Sequence, residues 1–199
     1  MKRSFLLMGV VLCALAISPM ASAQATKQEA SAKRADEILN KLHELDLLNQ
    51  LLPVLMTKEQ MRKILPSVEK AREMVRATEK GEAEQLEKLA AKIDPVITEA
   101  YEKKKVPSID ILTEYAKTFA KLRIVRRSVV EANTTNVLEV VQKTLDKGQL
   151  AAARNALEPK YIDPSLDKEK MSDDEKLRFW VKVILLDPQA YTILTKLSK

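Results

Sequence analysis

Hydrophobic residues in the first half of the chain recur at intervals of three and four positions. This spacing places side chains on one face of an α-helix. Three such stripes follow one another and predict three consecutive amphipathic helices, packed at shallow angles as in a bundle. Their members are Ile38, Leu42, Leu45, Leu48 and Leu52, then Met61, Ile64, Val68, Ala71 and Val75, then Leu86, Leu89, Ile93, Val96 and Ala100.

Prolines and a glycine set the expected limits of these three helices. The first helix is expected to end near Pro53, the second to span 58–80, and the third to begin after Gly81. Pro66 and Pro95 fall inside the pattern, and each removes a backbone donor and clashes with the preceding turn. We therefore expect a bend at Pro66, and either a kink or a new helix at Pro95.

The second half of the chain has the same helical character. A long helix is expected from its cap, Ser108, to about Thr144, followed by a short helix that ends near Leu157. Beyond a loop, one helix opens at Ser172 and a last one at Asp187. The apolar stripe of the long helix consists of Leu112, Tyr115, Phe119, Leu122, Val129 and Val130.

Composition supports the helical interpretation. The whole chain contains 3 glycines, which argues against glycine-rich phosphate loops, dinucleotide-binding turns and tight hairpins. Leucine, alanine, lysine, glutamate and glutamine dominate, and all five favour helices. The sequence therefore predicts an all-α fold, a kinked bundle of six or seven helices without a sheet.

The N-terminus has the three parts of a secretory signal peptide. Lys2 and Arg3 supply positive charge, residues 5–18 form an apolar run, and "PMASA" ends in the pattern that signal peptidase cleaves. Cleavage after Ala23 makes Gln24 the first mature residue. The sequence thus predicts an exported, periplasmic protein with a signal peptide over residues 1–23.

Three alternatives to cleavage fit the N-terminus less well. An uncleaved anchor is disfavoured because the apolar run is shorter than the roughly 20 residues that a membrane helix needs. A lipid on Cys13 is disfavoured because the bulky Leu12 precedes it, where a modified cysteine needs a small neighbour. The third alternative is an N-terminal helix that belongs to the fold. We therefore expect no stable membrane anchor.

Loss of the signal peptide changes the chemistry of the chain. The single cysteine leaves, so neither disulfides nor thiol chemistry is expected in the mature protein. The net charge of +6 falls by two, which leaves a mild positive excess. Residues 24–34 are expected to form a flexible lead-in, and residues 35–199 a single helical domain.

Basic residues cluster on the predicted long helix. Between Ala116 and Val130 the sequence has five basic residues and no acidic one, and Arg126 lies within the apolar stripe. One interpretation is a solvated face from whose edge Arg126 reaches water. The other is a groove wall, both apolar and positive, that binds a partner. The candidate partner-binding residues are Phe119, Leu122, Arg123, Arg126 and Arg127.

Two short motifs have the spacing of a capping box. In the first, Thr57 is followed three places on by Gln60, with Met56 in front. A threonine hydroxyl accepts from the third amide of the helix, and the glutamine side chain accepts from the cap amide in return. The second copy places Asp146 and Gln149 at the same spacing after Leu145. Both motifs predict helix starts.

With these two boxes, an exported, cysteine-free helical chain resembles the Spy/CpxP-like (LTxxQ-motif) periplasmic proteins. Met56, Thr57 and Gln60 match the first motif, with methionine in place of leucine. Leu145, Asp146 and Gln149 match the second, with aspartate in place of threonine. The resemblance covers residues 37–157, and residues 158–199 form a helical C-terminal extension.

The resemblance implies a curved helical cradle, usually dimeric, that holds unfolded or partly folded proteins without ATP. It therefore implies a chaperone-like or envelope-stress protein, with unfolded or envelope proteins as partners and a possible homodimer. Some relatives sense envelope stress or bind metals such as zinc. A metal-responsive periplasmic sensor or carrier is thus one alternative, and a non-catalytic structural or adaptor bundle is another.

Residues for catalysis or metal binding are sparse. The one histidine, His43, falls off the stripe of the first helix, and soft-metal sites need several histidine or cysteine ligands. Residues 163–174 have oxygen ligands at a loosely EF-hand-like spacing, but Lys168 stands where the glycine belongs. No nucleophile–base motif is present, and the basic residues lack interleaved aromatics for nucleic acid. We expect no enzyme activity, metal or cofactor.

Overall fold

A computed structural model describes residues 20–199, and side chains from residue 31 onward. The chain divides into two compact units, Met1–His43 and Glu44–Lys199. The start of the helical domain predicted at residue 35 lies inside the first unit. Residues 1–19, most of the predicted signal peptide, lie outside the described part. Cleavage between Ala23 and Gln24 therefore stays a prediction.

The described part of the chain is 86% helical, with six α-helices and no strand. This confirms the predicted all-α fold. A π-helix, Val181–Leu185, directly follows the fifth α-helix. The α-helices are α1 Met20–Leu51, α2 Lys58–Lys103, α3 Ile109–Thr144, α4 Lys147–Ala156, α5 Asp173–Trp180 and α6 Pro188–Leu197. Short 3-10 turns occupy Leu52–Val54, Pro159–Tyr161 and Lys168–Lys170.

Two predicted limits were wrong. The first helix does not begin after residue 34: residues 24–34, the expected flexible lead-in, belong to α1, because alanine, lysine and glutamine favour helix and the segment has no glycine or proline. Similarly, α2 continues through Gly81 and Pro95 as one helix of 46 residues. A glycine costs an α-helix only about 1 kcal/mol, and Gly81 does not adopt the left-handed conformation in which many helices end.

Helices α2 and α3 form an antiparallel hairpin. Side-chain hydrogen bonds join Lys92 to Glu114, Glu82 to Arg126, and Asn133 to the Ala71 carbonyl. The residue number of the partner on α2 therefore falls as the number on α3 rises, which shows that the two helices are antiparallel. The loop between the helices begins at Lys104, whose φ of 51° ends α2 in the left-handed conformation. We call residues 82–126 the distal hairpin.

The main core lies at the other end of the hairpin, in the second unit. It joins the start of α2 and the end of α3 with the last turns of α1, with α4 and with the C-terminal helices. Trp180 is its largest fully buried side chain. The C-terminal segment, expected to be an extension of the family-like region, thus contributes to the same core. Its fully buried members are Leu177, Trp180, Val181, Leu185, Ala190 and Leu194.

The face that α1 buries differs from the predicted stripe. Leu47 and Leu51 are buried in the core, whereas Leu45 and Leu52 are exposed. Leucines crowd the end of this helix and form two overlapping stripes with helical spacing. Periodicity alone cannot choose between the two stripes, and packing into the main core decides.

Candidate functional site

Both predicted capping boxes form. The Thr57 hydroxyl accepts from the Gln60 backbone N–H at 3.2 Å, and Gln60 Oε1 accepts from the Thr57 N–H at 2.9 Å. Asp146 Oδ1 accepts from the Gln149 N–H at 2.8 Å, and Gln149 Oε1 accepts from the Asp146 N–H at 3.1 Å. The helix starts predicted for α2 and α4 are therefore confirmed.

The two boxes also bind each other. Gln60 Nε2 donates to Gln149 Oε1 at 2.8 Å, and Gln149 Nε2 donates to Gln60 Oε1 at 3.0 Å. Gln60 Nε2 also donates to the Thr144 carbonyl, and Gln149 Nε2 to the Leu55 carbonyl, at 3.1 and 2.9 Å. Each of these carbonyls lies two residues before a cap, so the two halves of the cluster are equivalent.

This reciprocal pairing uses the full bonding capacity of both amides. A glutamine side chain has two N–H donors and an oxygen that accepts twice, and all of these bonds are made. The cluster therefore links the start of α2 to the start of α4 across 89 positions of sequence. Met56 and Leu145, the residues before the caps, are buried in the core beside it.

Leu55, beside the first box, has an uncommon backbone conformation. Its φ is 53°, in the left-handed region that non-glycine residues rarely adopt. Two hydrogen bonds hold it there: its N–H donates to the Leu52 carbonyl at 3.0 Å, and its own carbonyl accepts from Gln149. The Leu55 side chain is 79% exposed. A hydrogen bond from the cluster therefore helps to hold Leu55 in a strained backbone conformation, although its exposed side chain packs little against the core.

Of the candidate partner-binding residues, Arg126 has an internal partner. Its guanidinium bonds both carboxylate oxygens of Glu82, with Nε at 2.7 and 2.8 Å. Glu82 is only 4% exposed, whereas most of the Arg126 side chain reaches solvent. The guanidinium holds the pKa of the Glu82 carboxyl below its ordinary value. Arg126 therefore compensates a buried charge, a role that the sequence analysis missed.

The other candidates differ in accessibility. Leu122 is buried between the hairpin helices and offers no exposed surface, which corrects its assignment as a contact residue. Phe119 is partly exposed and packs against Tyr115 in a tilted arrangement, with ring centroids 4.6 Å apart. Arg123 and Arg127 are exposed and line a shallow groove of about 550 Å³ with Ile124. Ile124 was not singled out from the sequence because it lies off the apolar stripe.

Apolar side chains are exposed along much of the distal hairpin. Only three of its residues are fully buried, namely Glu82, Leu89 and Leu122. A few exposed apolar residues are normal in any protein, but a concentration on one segment points to a binding surface. The exposed members are Leu86, Ile97, Tyr101, Val106, Ile109, Leu112, Tyr115, Phe119, Ile124 and Val125.

In the described part of the chain, side chains that commonly bind metals do not come together in one site. No group of three or more histidine, cysteine, aspartate or glutamate residues is close enough there to hold an ion. His43 lies exposed on α1. In the loop with loosely EF-hand-like spacing, Asp163 accepts from the Ser165 N–H, and Asp167 from the Glu169 N–H. Those carboxylates therefore act as local turn acceptors.

Within the described helices, none is both long and apolar enough to span a bilayer. Comparison with known proteins adds no identification: no family model, curated protein or solved structure matches this chain. The resemblance to the Spy/CpxP-like proteins thus depends on the two boxes and stays a hypothesis.

Proposed function

We propose that this protein is an exported, ATP-independent, chaperone-like protein that binds non-native proteins through the distal hairpin. The observation that carries the proposal is the exposure of ten large apolar side chains on a segment with almost no core of its own. Unfolded proteins expose apolar segments of varied sequence. A long surface with scattered apolar contacts can bind such segments without a specific pocket.

Charge on α3 supports the same surface. Lys117, Lys121, Arg123 and Arg127 have no ion-pair partner among residues 31–199, and no acidic residue lies between Ala116 and Val130. Their charge attracts acidic partners at long range and speeds encounter, while apolar contacts hold the partner. Arg126 contributes less to this field because Glu82 neutralises it.

Compartment and assembly belong to the same proposal. Export through the N-terminal signal places the protein in the periplasm, where no ATP is available and a passive binding surface suffices. A homodimer is consistent with the exposed hairpin, since a second copy can cover part of it. Intact-mass measurement of the exported protein tests the processing: we expect a chain that begins at Gln24. A species that starts at Met1, or one acylated at Cys13, contradicts it.

The test of function is suppression of client aggregation by the protein expressed from its complete sequence. A chemically reduced or heat-denatured client is mixed with increasing protein, and light scattering is followed. We expect protection by wild type and several-fold weaker protection by Ile124→Ser and by Arg123→Glu combined with Arg127→Glu. Tyr161→Ser is the apolar control because Tyr161 is 90% exposed outside the hairpin. Lys143→Glu, on the same helix, is the charge control.

The same assay distinguishes the alternatives. Micromolar zinc binding without client protection favours the metal-responsive sensor or carrier. Neither zinc binding nor protection at several-fold molar excess favours an adaptor, whose basic helix docks on one envelope partner. Protection that is equal in wild type and in the hairpin variants contradicts the distal hairpin as the binding surface.

A further inference from the structure

A groove of about 390 Å³ opens at the base of the hairpin, outside the distal hairpin. It lies where α2 and α3 meet the π-helix and the start of α6. Small-molecule sites commonly have volumes of about 300–1,000 Å³ and mostly apolar walls with a few polar groups. Five of the ten wall residues are apolar: Ala71, Val75, Val130, Leu186 and Pro188.

A buried amide lies in this wall. Asn133 is 3% exposed, and its Nδ2 donates to the Ala71 carbonyl at 3.1 Å. Its Oδ1 is buried and has no hydrogen-bond partner among the described residues. A buried acceptor without a donor destabilises the fold, and an apolar residue of similar size avoids this cost. Stability alone therefore does not account for asparagine here, whereas a ligand with an N–H or O–H group does.

The π-helix is a second, independent indication. The Leu186 N–H donates to the Val181 carbonyl, five residues back, at 3.0 Å. Such wide turns are rare and are frequently found at functional sites. Lys182 and Leu186, four positions apart on this turn, both line the groove. The rare wide turn therefore lies in the wall of the groove itself.

The rim of the groove carries three cations and one carboxylate. Arg72, Arg76 and Lys182 line it, against Glu79. Arg72 is held over the Tyr191 ring, with Cζ 4.3 Å from the centroid. Lys182 bonds Glu131 at 3.3 Å, which leaves further ammonium donors for a ligand. Arg72 and Arg76 share the Glu69 carboxylate, each at 2.7 Å. Since a guanidinium has five N–H donors, both arginines also keep donors that a carboxylate head group can bond.

We propose that this groove binds a small amphiphile with an apolar chain, an internal N–H or O–H donor, and a carboxylate. The chain packs on the apolar wall, the donor bonds Asn133 Oδ1, and the carboxylate lies at the Arg76 and Lys182 rim. N-acylated amino acids have this chemistry. The proposal is independent of client binding, because none of these residues belongs to the distal hairpin.

The probe is N-octanoylglycine, titrated into the purified full-length protein. Trp180, the single tryptophan, directly precedes the π-helix and serves as the fluorescence reporter. We expect saturable binding with a dissociation constant of about 0.1 mM, in the range for a ligand of this size. Two analogues should each bind at least fivefold more weakly. In one, octanoyloxyacetic acid, an ester oxygen replaces the amide N–H; the other, N-ethyloctanamide, lacks the carboxylate.

Variants locate the site. Asn133→Leu should weaken binding at least fivefold without lowering the melting temperature, and Lys182→Gln should weaken it several-fold. The controls are Asn136→Leu, exposed on the same helix, and Lys143→Gln; both should leave binding within twofold. Amide chemical-shift changes on wild type, expected at 71–76, 130–133 and 182–188, locate the ligand without any variant. Absence of saturation at 5 mM, or binding unchanged in both groove variants, overturns the proposal.

Discussion

The side-chain amides of Gln60 and Gln149 donate to each other at 2.8 and 3.0 Å, although each also caps its own helix. A capping glutamine normally acts within one turn of chain. Here the pair fixes the start of α2 against the start of α4. The motif therefore has a tertiary role as well as a local one.

Two kinds of substitution separate these roles. We predict that Gln60→Glu keeps the cap acceptor but loses both Nε2 donors, and that it destabilises the fold by about 1–3 kcal/mol. Gln60→Ala and Gln149→Ala should show a coupling energy of at least about 0.5 kcal/mol in a double-mutant cycle. Urea unfolding of the three single variants and of the double alanine variant measures these free energies, and Gln142→Ala is the control at an exposed position. Additive effects of the two alanines contradict the tertiary role.

At Leu55 we predict a substitution that raises the stability of the protein instead of lowering it. Leu55→Asn should stabilise the protein by up to about 1 kcal/mol, because asparagine tolerates the left-handed conformation better than leucine. Little apolar burial is lost, since the side chain is mostly exposed. Leu55→Val should destabilise it, because a β-branched residue fits this conformation poorly. Chemical denaturation of both variants is the measurement, and the reverse order contradicts the strain argument.

The Glu82–Arg126 pair predicts a specific pattern of stability. Arg126→Met leaves the buried Glu82 carboxylate without its partner, and we expect a clear drop in melting temperature at pH 7. Adding Glu82→Met should recover most of the loss, because two packed apolar residues replace a buried ion pair. A double variant less stable than the single one contradicts this account.

The same pair predicts a pH dependence. The pKa of Glu82 is lowered in the folded protein from its ordinary 4.5. Its contribution to stability is therefore complete above that ordinary value and is lost as the pH falls through the folded-state pKa. The stability advantage of wild type over Glu82→Gln should shrink in that acid range. Melting curves of both proteins between neutral and acid pH measure it, and a constant difference contradicts it.

The C-terminal segment is predicted to be essential for folding. Trp180→Ala should cost about 3–5 kcal/mol, because it removes the largest fully buried side chain. Deletion of residues 158–199 should abolish cooperative unfolding, since the core loses one wall together with the bond from Arg62 to the Ser198 carbonyl. Circular dichroism during heating tests both, and a cooperative transition in the truncated chain contradicts the prediction.

Local features of the sequence were sufficient for the fold class and for the helix starts. A capping box involves residues three apart, so Thr57 and Asp146 could be recognised without tertiary information. The break expected at Gly81 was wrong because one glycine costs an α-helix only about 1 kcal/mol, too little to end it. The buried face of α1 was missed because its leucines fit two registers.

Interactions between distant residues could not be derived from periodicity. The Gln60–Gln149 pairing depends on how α2 and α4 pack, across 89 positions of sequence. One signal was available for the ion pair: Glu82 and Arg126 are equidistant from Lys104, and such residues face each other in an antiparallel hairpin. Asn133 gave no signal, because its burial depends on the C-terminal helices as well as on α2.

The most direct test of the proposed function is contact between the distal hairpin and a non-native client. A photoreactive amino acid is placed at Ile124, which is 67% exposed, and separately at Tyr161 as the control. Each protein is illuminated with a reduced, unfolded client and with the same client in its native form. We predict cross-links from position 124 to the unfolded client, and few from position 161 or to the native form. Equal yields at the two positions, or none at 124, contradict the proposal.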